Sequence, residues 1–261
     1  MPEDVSTIDA RPAPGPIAWP GRVLLWGSLV VISGLSWLYL VWMPMTASDL
    51  GATAAHLFRV VPAGADEMVL MFLMWAVMMV AMMLPSAAPM IETFARIAAY
   101  RGEQSGYRVA LFVVGYLTIW TVFSGIATIA QVALQHAGIV TAALSTTPIA
   151  GSALLAGAGI YQVTPLKDAC LNKCRSPLGI LMAEWRDGAA GAFVIGLRHG
   201  AFCTGCCAML MLLLFVFGVM NLLWVAALSI FVLLEKSLPQ GRAIARVSGY
   251  GMLIAAAVRL V

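Results

Sequence analysis

Sulfur dominates the residues that could do chemistry in this chain. All five cysteines fall within 38 residues, between Cys170 and Cys207. Three of them stand in His199-Gly200-Ala201-Phe202-Cys203-Thr204-Gly205-Cys206-Cys207. On a helix, His199, Cys203, Cys206 and Cys207 occupy an arc of about 100°. Buried thiolates need a compensating positive charge, which a bound cation supplies. Cys and Met together with His favour Cu(I), with zinc as the rival. The plainer reading is that cysteine is a common small buried residue. Cys170 and Cys174 are four apart, so a helix puts both sulfurs on one face. Their segment, Thr164 to Arg175, reads as a short helix extending on the cytoplasmic side. Cytosolic thiols stay reduced, which favours a metal pair over a disulfide; two ordinary interfacial thiols are the alternative. These positions predict two sites at different depths: a mid-membrane cluster, and a cytoplasmic pair that exchanges metal with it.

A second sulfur pattern precedes the cysteines. Met68, Met71, Met74, Met78, Met79, Met82, Met83 and Met90 place eight of the chain's 16 methionines in 23 positions. At about 100° per residue, all eight fall on one half of a helix. Leu70, Leu73, Val77, Val80, Ala81 and Leu84 take the other half. Neutral thioethers can line a path for a soft cation without the desolvation cost of a buried carboxylate. Met71, Met78, Met79, Met82 and Met83 are the candidate relay ligands. Methionine also fills irregular gaps between helices, and that reading stays open.

The elements that must hold these residues are membrane helices. The chain of 261 residues is 62% hydrophobic and 10% charged, against about a quarter charged in soluble domains. Several apolar runs reach the ~20 residues that cross the hydrocarbon. The expected fold is all-α: a polytopic transmembrane bundle of about seven helices (residues 21–261) behind a Pro-rich, disordered cytoplasmic tail (1–20). The helices are expected near 22–42, 68–84, 109–134, 148–166, 189–217, 219–234 and 243–261. Pro85 and Pro89 should disturb the second, leaving Arg96, Arg101 and Arg108 in a loop. Thr147-Pro148 reads as an N-cap with Pro at the first helical position. A break near Gly200 to Gly205 is expected in the long fifth region, which exceeds one crossing. With a cytoplasmic N-terminus, twelve Lys or Arg lie on cytoplasmic segments and one on the outer loops, as the positive-inside rule requires.

Other ionisable residues carry weaker signals. Arg198 either serves a buried site or snorkels to the interface. His56, with Met43 and Met45, could capture metal outside, although His56 and His136 read more simply as solvated loop residues. Glu92 and Glu235 read as interface carboxylates. The chain holds no phosphate-binding loop, no nucleophile elbow and no phosphorylation sequence of a P-type ATPase. Its net charge of +3 is spread over loops and does not suggest nucleic acid.

Met78-Met79-Val80-Ala81-Met82-Met83-Leu84-Pro85-Ser86, Tyr161-Gln162-Val163-Thr164-Pro165-Leu166-Lys167 with Cys170 and Cys174, Cys203-Thr204-Gly205-Cys206-Cys207, and Gly218-Val219-Met220-Asn221 together are distinctive. They resemble a bacterial family of predicted metal-binding integral membrane proteins, domain of unknown function 2182, often labelled copper chaperone. The similarity covers about residues 22–255. It implies a multi-pass protein of the bacterial inner membrane that binds metal. The combined expectation is Cu(I) handling, by transport or by delivery, with a copper-donor or copper-acceptor protein as partner. The alternatives are a thiol–disulfide relay from Cys170/Cys174 to Cys203/Cys206/Cys207, or a structural subunit of a membrane complex.

Overall fold

A computed structural model describes residues 19–49, 64–102, 105–140, 146–219 and 221–259. The expected disordered tail and His56 lie outside these residues, except that Trp19 already begins the first helix. Among the described residues the chain is all-helical, with one isolated bridge between Val140 and Thr146. The helices are α1 (Trp19–Asp49), α2 (Ala65–Tyr100), α3 (Ser105–His136), α4 (Pro148–Gln162), α5 (Pro165–Arg175), α6 (Pro177–Glu184), α7 (Gly188–Leu212), α8 (Leu214–Phe217), α9 (Leu222–Ser237) and α10 (Gly241–Val258). Four spans are long and apolar enough to cross a membrane: Gly21–Trp42, Ala65–Tyr100, Gly106–His136 and Gly188–Phe217. The pair α4 and α5, bent by 65°, could form a fifth.

The second helix corrects the sequence expectation. It does not end at Leu84 but runs through Pro85 and Pro89 to Tyr100, so Arg96 is helical. Proline at 85 removes the amide that would bond the Ala81 carbonyl. The Trp37 indole donates to that carbonyl instead, at 3.2 Å, and thereby ties α1 to α2. A neighbouring helix thus satisfies the group that proline frees, which is how membrane helices tolerate proline.

The fifth apolar region is also corrected. It is continuous through Gly200 and Gly205 and breaks at Leu213. The glycines are points of close approach. A Cβ at Gly196 would collide with the Phe112 carbonyl, and one at Gly200 would lie 3.0 Å from the Tyr116 carbonyl and Ile119. Between apolar helices in lipid, tight packing of small residues replaces the hydrophobic driving force. Gly196 and Gly200, four apart, let α7 lie directly on α3. Gly115 of α3 answers them against the Phe193 carbonyl.

The fourth helix stops at Gln162, short of the expected Leu166, and the chain turns into α5. The Thr164 hydroxyl caps α5 by accepting from the Lys167 amide at 3.3 Å, with Pro165 in the first turn. This cap and the bend lay α5 against α7.

Candidate metal centre

The bend after α4 decides where the sulfurs go. Cys174 Sγ on α5 lies 3.7 Å from Cys206 Sγ on α7. Cys206 Sγ is 3.2 Å from Cys207 Sγ. Cys206 Sγ also donates to the Cys203 carbonyl at 3.2 Å. Cys170 sits over Gly205, where a methyl would come within 3.0 Å of its sulfur. All five thiols are free. The expected separation of two sites by depth is therefore overturned: Cys174 joins the cluster directly. Cys203, Cys206 and Cys207 are buried, while Cys170 and Cys174 are half-buried.

Basic and hydroxyl groups surround the sulfurs. Lys236 Nζ, at the end of α9, donates to Cys203 Sγ at 2.9 Å and to Ser86 Oγ at 3.0 Å. Tyr116 OH lies 3.2 Å from Cys203 Sγ and 3.0 Å from the Met83 carbonyl. The Tyr161 hydroxyl donates to the Gly205 carbonyl. Behind them, Lys167 Nζ donates to the Cys206 carbonyl and pairs with both carboxylate oxygens of Glu235, at 2.9 and 3.0 Å. Both side chains of that pair are fully buried. Glu235 is thus no interface carboxylate. An α9 end that looks exposed in sequence is covered by α5.

His199 is buried one turn before Cys203 and stacks on Tyr116 and Phe112, with ring centroids at 5.5 and 6.0 Å. Its Nδ1 has no hydrogen-bond partner. Arg198 next to it is exposed, as is His136 at the end of α3.

The methionine half of α2 faces the interior. Met78, Met79, Met82 and Met83 are at most 1% exposed, and Met74 and Met90 are buried too. Met71 is half-buried and packs on the core, whereas Met68 is 40% exposed. Leu70, Leu73 and Val69 are exposed on the other half, although Ala81 and Leu84 are buried. The inner turns of this face reach the thiols, because Met83 accepts from Tyr116 and Ser86 holds Lys236.

Among the described residues, no three His, Cys, Asp or Glu side chains form a finished ion cage. The thiols touch in pairs. Two sulfurs each about 2.3 Å from a shared ion lie about 3.8 Å apart in tetrahedral geometry, close to the Cys174–Cys206 spacing. The 3.2 Å contact is a thiol–thiol approach that an ion would widen. Convergent soft donors, an unpartnered imidazole nitrogen and a cationic neighbour for thiolates fit a soft metal ion.

Sequence reasoning missed Lys236, Lys167, Tyr116, Tyr161 and Ser86. The available signal was charge at the ends of apolar helices, Lys167 after Pro165 and Glu235-Lys236 after an apolar run. Nothing in the pattern distinguishes such charges from ordinary interface residues.

The fold and site define an all-helical protein with at least four helices long and apolar enough to cross a membrane, built around a thiol cluster. The chain belongs to the PpoB2 family, described as copper chaperone, whose family model matches residues 72–259. That match takes in the methionine face from Phe72 onward, every cysteine and Lys236. No curated protein and no solved structure matches the chain.

Proposed function

We propose that this protein binds Cu(I) within the bacterial inner membrane and handles it as a transporter or as a chaperone that delivers it to a partner protein. The observation that carries this reading is the convergence of Cys174 with Cys203, Cys206 and Cys207 at the inner end of a buried methionine face. From Met71 to Met83 that face extends about 18 Å at 1.5 Å per residue. Thioethers hold the ion weakly along it, and the thiols, with His199 one turn before Cys203, hold it more firmly. Ligand exchange between low-coordinate sites moves the ion. Cys170, beside Gly205, is the thiol nearest to a delivery role.

In this reading the chain crosses the membrane seven times. The four long spans and the bent pair α4–α5 are joined by the shorter α9 and α10, and the N-terminus is cytoplasmic. The cation bias supports that orientation. Alkaline phosphatase fused after Val261 is expected to be active, and after Arg101 inactive. The reverse pattern would invert the topology.

Purified protein loaded anaerobically with Cu(I) should retain copper. Exchanging Met71, Met78 and Met82 for Leu should leave expression intact and slow copper uptake, since the volume change costs under about 1.5 kcal/mol per site. Unchanged uptake would make the methionine face packing alone. The close Cys174–Cys206 approach also favours a second reading, a thiol–disulfide relay. A protein that binds no copper but forms a Cys174–Cys206 disulfide reversibly would establish it; the methionine face has no part in that chemistry.

A further inference from the structure

Lys236 is a cation built into the thiol cluster. Its ammonium contacts Cys203 Sγ at 2.9 Å and is anchored by Ser86 at 3.0 Å. Tyr116 OH reaches the same Cys203 sulfur at 3.2 Å. Lys236 is half-buried; the fully buried lysine, Lys167, does not share this role, because Glu235 neutralises it. Among the described residues no ion pair joins Lys236 to a carboxylate, so its charge is left for thiolates to balance. A monovalent ion held by two thiolates is net negative, and Lys236 makes it neutral. A divalent ion held by the same two thiolates is already neutral, and Lys236 makes it positive. Net charge in a low-dielectric interior is costly.

We propose that Lys236 is a specificity-determining residue that makes the thiol cluster favour a monovalent soft cation over a divalent one. This rests on the reading of the cluster as a Cu(I) site. The lysine acts through charge and position, without itself ligating the ion. Ser86 keeps the ammonium beside the sulfurs.

The test is competitive loading of purified protein with Cu(I) and Zn(II), anaerobically and with reductant, followed by elemental analysis of both metals. Wild type and Lys236→Arg should retain mainly copper. Lys236→Met and Lys236→Gln should lower the copper-to-zinc ratio by about tenfold or more, the scale of one nearby charge in a partly buried site. Ser86→Ala, which keeps the lysine but loosens its anchor, should shift the ratio the same way by less, and it decides the matter if the neutral variants fail to fold. Copper bound by all variants at the wild-type ratio overturns the role of Lys236 and leaves the copper reading standing. No copper in wild type overturns the copper reading itself.

Discussion

The Cys203→Ser/Cys207→Ser variant is expected to lose most of the copper that the proposed site binds, and Cys174→Ser nearly as much. Serine preserves size but offers a hard hydroxyl in place of a soft ligand. Losing even about 3 kcal/mol of binding with these ligands weakens retention about a hundredfold. The strong effect of Cys174 follows from the fold. Its sulfur lies 3.7 Å from Cys206 on another helix, so it belongs to the same cluster. Cys170→Ser should retain the ion, because Cys170 faces Gly205 at the edge of the group, and should instead slow transfer to an external Cu(I) acceptor. Copper per mole of purified protein and the rate of its removal by a chelator check both outcomes. Full occupancy in Cys174→Ser would detach α5 from the site.

Glu235→Ala is expected to destabilise the protein by about 3–5 kcal/mol, because it strands the Lys167 ammonium in a dry interior. Both members of the pair are fully buried, and Lys167 also bridges to the Cys206 carbonyl. The loss should loosen the junction of α5, α7 and α9 and expose the thiols early on heating. A thiol-reactive dye that reports cysteine exposure in detergent measures this as a lower melting temperature. Lys167→Met/Glu235→Leu should recover much of the stability, since replacing both charges removes the uncompensated one. If Glu235→Ala melts with wild type, the pair carries no structural role. Recovery in the double variant together with normal copper retention would separate this stabilising pair from Lys236, whose charge acts on the ion.

By itself, the sequence determined the helical class, the apolar segments and the sorting of methionine onto one face. Those properties are periodic: 3.6 residues per turn, read against hydropathy, tells which face of α2 is distinct before any partner is known. The shared stripe of His199, Cys203, Cys206 and Cys207 was legible for the same reason, as all four sit on one helix. The family resemblance was legible because motifs survive as short strings, and the family match bears it out.

Tertiary structure decided what lies between helices. That the carbonyl freed by Pro85 is satisfied depends on Trp37 of α1 reaching Ala81, a contact between residues 44 apart. That Gly196 and Gly200 are close-packing points, not breaks, depends on Phe112, Tyr116 and Ile119 of α3. That Cys174 joins the core thiols depends on the 65° turn at Thr164, and that Glu235 is buried and Lys236 reaches the thiols depends on how α9 meets α2 and α5. A helical period fixes which side chains share a face. It carries no information about which other face they meet, and in this protein the thiol cluster and its charges are made where separate helices meet.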